Sequence, residues 1–161
     1  MSVTSVDKDF ETLTLTMVAD LDASIERVWL LWADPRQLER WWGPPSHPAT
    51  VETHDLTPGG DVTYFMTGSD GEKHRGWWRV TSVKPPTSLE FTDGFADQDG
   101  TPVNDMPTTR VQVQLTERDG GTRMELRSVF DSQEEMERLI GMGMTEGLQL
   151  AVAQMDALLA G

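Results

Sequence analysis

Residues 132–161 read SQEEMERLIGMGMTEGLQLAVAQMDALLAG. Ser132 to Glu135 form a capping box, in which serine and glutamate satisfy the first free amides of a helix. Behind it, Met136, Ile140, Met144, Gly147, Ala151, Met155 and Leu158 recur at helical spacing along one face. The spacing predicts one helix of about 28 residues, near 40 Å long at about 1.5 Å per residue. An amphipathic helix of that length needs an apolar surface to lie on.

The segments upstream supply that surface. Glu11 to Leu21 alternates Leu13, Leu15 and Met17 with threonines, the pattern of a half-buried strand. Two short helices follow. The first carries Ile25, Val28, Trp29 and Trp32. The second opens at Asp34-Pro35 and stops at Gly43-Pro44-Pro45. From about residue 48 the period becomes two. Ala49 to Leu56, Val62 to Met66, His74 to Val83, Ser88 to Thr92, Arg110 to Glu117 and Met124 to Ser128 read as strands. Asp70-Gly71 and Asp119-Gly120-Gly121 are hairpin turns, so neighbouring strands should pair antiparallel. Residues 93–107 read as a polar loop and a flap over any cavity. The fold class is α+β: a curved antiparallel sheet of about seven strands wrapped around the C-terminal helix, with two short helices after the first strand. Residues 1–9 read as an N-terminal tail and 10–161 as a single domain.

Composition narrows the function classes. The chain has 161 residues and no cysteine, which removes disulfides, thiol catalysis and thiolate metal sites. Its 27 acidic and 13 basic residues leave a formal net charge of −14. With no basic cluster, that charge argues against nucleic acid and anionic membranes as partners. The longest apolar run, Val28 to Ala33, is far short of the roughly 20 residues of a membrane span. Met1 to Asp9 lack the features of a signal peptide, so a cytoplasmic location is expected.

Several motifs, taken in order, resemble one family. They are Arg27-Val28-Trp29, Trp32-Ala33-Asp34-Pro35 with Leu38, and Arg40-Trp41-Trp42-Gly43-Pro44. Asp55 to Gly60, Pro85 to Thr92, Gly120 to Met124 and Gly143 to Gly147 continue the series. Together they resemble the Hsp90 ATPase activator homologue family of the START-like (SRPBCC) helix-grip superfamily, over about residues 10–160. The resemblance implies the helix-grip fold. It also implies two kinds of function: binding of lipids, sterols, polyketides or other apolar molecules between sheet and helix, or stimulation of the Hsp90 ATPase by co-chaperones. Some superfamily members are cyclases or hydroxylases. About ten residues precede the first predicted strand, so the chaperone-binding domain of the full co-chaperone has no expected counterpart.

The side chains themselves point to a cavity before they point to chemistry. All six tryptophans fall within residues 29–78, and nine methionines accompany them. Rigid rings and flexible thioethers suit both a core and an adaptable pocket. Trp77 and Trp78 are adjacent on a strand and face opposite ways. Gly141, Gly143 and Gly147 each cost a helix about 1 kcal/mol relative to alanine. Close approach to the sheet is the plainer account of them, and space for a ligand or a flexible point is the functional one. His47, His54 and His74 have no metal-site spacing. Asp93, Asp97, Asp99 and Asp105 fail the calcium-loop register, because Pro102 stands where glycine is needed and Thr108 where glutamate is needed. No catalytic constellation and no cofactor or metal site is expected.

The reading favours non-enzymatic binding of a small hydrophobic or amphipathic ligand between sheet and helix. The candidate ligand-binding residues are Trp42, Tyr64, Met66, Trp78, Phe91, Met144 and Leu148. The alternatives are an Hsp90 co-chaperone-like interaction module, and a cyclase- or hydrolase-like enzyme using the same cavity with Asp55 and a histidine. Arg75, Arg79 and Arg110 would anchor an anionic head group or, more plainly, pair with surface carboxylates.

Overall fold

Period-two segments and hairpin turns produce one antiparallel sheet in the computed structural model, which describes residues 3–160. The chain runs β1 (Val3–Asp9), β2 (Thr14–Leu21), α1 (Ile25–Ala33), α2 (Pro35–Trp41), β3 (Ala49–His54), β4 (Asp61–Thr67) and β5 (Lys73–Lys84). It continues through β6 (Ser88–Phe95), β7 (Thr109–Arg118), β8 (Gly121–Val129), α3 (Gln133–Gly141), α4 (Met144–Ala153) and α5 (Met155–Ala160). The strand order is β1-β2-β8-β7-β6-β5-β4-β3. Strands β3 to β8 form a meander, and α1 and α2 carry the chain from β2 to the far edge.

The expected α+β architecture holds, with three differences in detail. Residues 3–9, read as a tail, form an eighth strand paired with β2. The turn between them is held by Asp9, whose carboxylate accepts the amides of Glu11 (2.9 Å) and Thr12 (3.2 Å). This edge strand buries little, so it lacks the alternation that marks the others. Strand β6 runs on to Phe95, taking Asp93 out of the polar loop.

The third difference is the long helix, which is broken. Met142 has ψ near 0° and Gly143 has φ 93°, a left-handed position that glycine enters without steric cost. The amides of Met142 and Gly143 tighten onto the carbonyls of Arg138, Leu139 and Ile140, and α4 restarts without a side-chain cap. At Gln154 the torsions stay right-handed (φ −69°, ψ −19°), so the second interruption is a tightening rather than a turn.

Side chains from α1 and the end of α4 fasten the C-terminal helices. Arg27 donates to Gln37 (2.7 Å) and to the carbonyl of Leu158 (2.9 Å). Gln154 donates to the carbonyls of Trp41 (3.2 Å) and Gly43 (2.7 Å), just where α2 stops. Edge strand β3 is sealed in the same manner. Glu39 accepts the Val51 amide (2.9 Å), and Arg36 donates to the Val51 carbonyl (2.7 Å).

The buried apolar residues form two clusters. The larger joins the sheet to α1, α2, α4 and α5 through residues such as Trp32, Leu38, Trp78, Val152 and Met155. The smaller joins Leu15 and Phe130 to Met136 and Leu139 of α3. Gln154→Ala removes both carbonyl contacts without touching either cluster. It should lower unfolding free energy by about 1–3 kcal/mol in urea titration. An unchanged midpoint would show that these bonds do not hold the helix in place.

Candidate ligand site

The sheet register sets the site. On the inner face Val62, Trp78, Asp93 and Thr109 stand in one row across β4 to β7, and Val51, Tyr64, Gly76 and Phe95 in the next. Gly76 is the enabling residue. A Cβ there would lie 2.5 Å from Cζ of Tyr64, so only glycine lets that ring lie over β5. The ring thereby crosses one strand, and its hydroxyl donates to Asp93 Oδ1 at 2.8 Å. On the outer face Trp77 lies in the same way over Gly94 and donates to the Phe95 carbonyl (3.0 Å). Trp78 is therefore the inward ring.

Two adjoining chambers open between this face and the helix break. The first, of about 220 Å³, is bounded by Trp32, Leu126, Ser128, Gly147 and Leu148. The second, of about 330 Å³, is bounded by Tyr64, His74, Leu139, Met142 and Gly143. Trp42, Met66, Asp93, Thr109 and Met144 line both. The chambers lie along the seam between the two apolar clusters, at the level where the helix turns away.

Of the seven residues expected to contact a ligand, Trp42, Tyr64, Met66, Met144 and Leu148 border the chambers. Trp78 and Phe91 stand behind the wall, stacked at 3.8 Å with planes 14° apart. Trp42 packs edge-on against Trp78 (4.9 Å) and Tyr64 (5.9 Å). Trp29, Trp32 and Trp41 are buried with the short helices, and the Trp41 indole donates to the Leu31 carbonyl at 2.8 Å.

Gly147 resolves the glycine question at its position. Nothing lies within 4 Å of where its Cβ would stand, and the residue faces the first chamber. Close approach to the sheet does not explain it; open space does. Gly141 and Gly143 are equally uncrowded.

Other candidates lie elsewhere. Asp55 is exposed, accepts the Thr57 hydroxyl (2.7 Å) and lines neither chamber. His54 meets the Trp32 carbonyl (3.1 Å), and only His74 of the three histidines borders a chamber. Arg75, Arg79 and Arg110 pair with Glu52, Asp61 and Asp131. Among the described residues no cluster of histidine, aspartate or glutamate is suited to a metal.

Asp93 is the residue that sequence reasoning missed. Phe91-Thr92-Asp93-Gly94-Phe95 continues the period of two, and that alternation was the available signal. Burial raises its carboxyl from 3.8 to about 7, while the Tyr64 hydroxyl and the Gly94 amide pull it partly back. Burial also drives the Tyr64 phenol well above its usual range. The Asp93 charge adds to that rise, and the nearby Trp42 indole opposes it. The indole N–H groups of Trp32 and Trp42 complete no hydrogen bond among the described residues. Asp93 is half-buried and lines both chambers.

This acid has a defined consequence for stability. Between about 3.8 and about 7 the folded protein holds a proton that the unfolded chain has released, so this group's contribution falls as pH rises. Above that window the penalty reaches at most about 4 kcal/mol. Asp93→Asn should therefore gain little over the parent protein at pH near 4, gain progressively up to about pH 7, and hold a constant advantage above that. Paired urea titrations across that range measure the difference, and a difference already constant below about pH 7 would contradict the assignment.

Comparisons with known proteins agree with this architecture. No functionally curated protein matches the chain in sequence. A protein from Mycobacterium smegmatis, known from its crystal structure, is 52% identical with a TM-score of 0.91, over 98% of this chain and 96% of that one. A protein from Arthrobacter aurescens, solved by NMR, is 52% identical with a TM-score of 0.95, over 99% and 92%. An AHSA1 protein from Silicibacter pomeroyi is 25% identical with a TM-score of 0.72, over 91% and 97%. The sequence model for the family described as "Activator of Hsp90 ATPase homolog 1-like protein" matches residues 22–160. With the helix-grip sheet and the broken C-terminal helix in place, the chain belongs to the Activator of Hsp90 ATPase homolog 1-like family.

Proposed function

We propose that this protein binds a small hydrophobic or amphipathic molecule in the two chambers, without catalysing a reaction on it. The observation that carries the reading is Gly147. A helix facing a sheet keeps a glycine on its apolar stripe, with nothing filling the space beside it. A core residue there would be stabilising on two counts, helix propensity and apolar burial. Space left open at such a position favours occupancy by something other than the chain itself. The walls supply indole, thioether and leucine surface, and burial against them contributes roughly 25 cal/mol per Å². Asp93, Thr109 and Ser128 are the polar groups available to orient the ligand.

Gly147→Leu tests this directly. The side chain enters open space, so the variant should be as stable as the parent, or more stable by about 1 kcal/mol. It should also lose any molecule that native mass spectrometry or solvent extraction recovers with the parent protein. A variant that retains the same molecule would sink the reading.

The family description supports a second reading, a chaperone partner. On that reading the purified protein raises the turnover of an Hsp90-type ATPase, and Gly147→Leu does so equally. An unchanged ATPase rate rejects it.

A further inference from the structure

The chambers hold one feature that apolar binding alone does not require. Asp93 is a carboxyl group set in the wall between them, and its side-chain hydrogen-bond partner is a phenol rather than a cation. Its Oδ1 accepts the Tyr64 hydroxyl (2.8 Å), and the residue borders both chambers. The arrangement is directional. Tyr64 donates toward Asp93, so an ionised Asp93 can only accept, whereas a protonated one presents a hydrogen-bond donor to the chamber. A protonated Asp93 therefore suits an entering acceptor oxygen.

The groups packed around Asp93 offer no alternative counter-charge. Strand β4 contributes Tyr64, and β7 and β8 contribute the hydroxyls of Thr109 and Ser128. From β5, His74 stands at the border of the second chamber, its ring 5.7 Å from that of His47. Arg75 also borders that chamber, but its Nη1 is bound to Glu52 (2.6 Å), and its guanidinium lies over Phe65. The segment after α2 contributes Trp42 and Pro44, and α3 and α4 contribute only apolar or glycine positions. Glu135 carries a buried oxygen without a partner, yet it belongs to the first turn of α3 and lines neither chamber.

We propose that ligand capture in these chambers is coupled to a proton on Asp93. They hold an uncharged molecule with an acceptor oxygen most tightly while that proton is bound. The inference rests on the ligand-binding reading above and specifies its chemistry. Filling the chambers with an uncharged molecule displaces water from Asp93 and disfavours its ionised form. Binding near neutral pH therefore takes up a proton from solution, and the ligand is released as pH rises. Ammonium ligands follow the opposite course, because a cation stabilises the ionised carboxylate and expels the proton. An anionic ligand also holds the proton on Asp93, so its binding weakens as pH rises and the carboxyl ionises.

Three naphthalenes of one shape separate these cases: 2-acetylnaphthalene, 2-naphthylmethylamine and 2-naphthoate. Isothermal titration calorimetry in two buffers of different ionisation enthalpy counts the protons exchanged on binding. The ketone should bind about tenfold more weakly at about pH 8 than at about pH 6, as the carboxyl midpoint of about 7 requires. It should also take up a fraction of a proton. The amine should strengthen over the same range, and the carboxylate should weaken at least as steeply as the ketone. Asp93→Asn should abolish both the pH dependence and the proton uptake, whereas His74→Gln should preserve them. Tyr64→Phe removes the donor that favours the ionised acid, so it should move the midpoint upward even if Asp93→Asn folds poorly.

Ketone binding that is independent of pH, or a pH dependence that moves with His74 instead, overturns the coupling and leaves the cavity reading standing. Failure of all three compounds to bind at any pH overturns the cavity reading, and this inference falls with it.

Discussion

A single twisted sheet has one apolar face too many, and covering it is the constraint on which the rest of the structure depends. Eight strands expose a broad inner surface, and a succession of short helices covers it in place of one straight helix. The chain divides the task. Helices α1 and α2 close one part, α4 and α5 lie over the larger cluster, and α3 covers the smaller one. The left-handed step at Gly143 lets the cover change direction. Where it does so, the two clusters fail to merge, and the chambers occupy the gap.

The same division explains why the fastening bonds are side chain to backbone. A helix end packed against protein has carbonyls that water no longer satisfies. Arg27 donates to one such carbonyl on α5, and Gln154 donates to two at the end of α2. These contacts cross more than a hundred residues of sequence. They tie the last helices to the first ones rather than to the sheet beneath. The cover is thus anchored at one end and stepped near the other, and the chambers adjoin the stepped end.

The architecture was legible in the sequence because its signals are local and repeated: alternation along strands, Asp-Gly turns, a capping box. The errors came where a local signal was weak or where space mattered. Strand β1 is an edge that buries little, so Val3 and Val6 carry no clear period. The glycine at 143 was visible, but a helix with two further glycines gives no rule for which one breaks it. Gly147 could be read as crowded or as open, and only the distance to its neighbours distinguishes the two. Asp93 was masked by the acidic run that follows it. Its placement depends on the register between β5 and β6, and on Gly76, two residues before Trp78, leaving room for a ring from β4. That is a relation among three strands, which no single stretch of sequence displays.

The aromatic packing has an optical consequence. Trp32, Trp41, Trp42 and Trp78 have ring centroids 4.7 to 6.1 Å from one another's nearest neighbours, several of them edge to face. At such separations the indoles share excitation before any of them emits. Excitation of one indole can therefore pass to another, and emission follows whichever ring lies lowest in energy. Trp29 and Trp77 make no such pair among the described residues. Trp42 is the member of the group that borders both chambers, so a molecule entering either one meets this shared aromatic system directly.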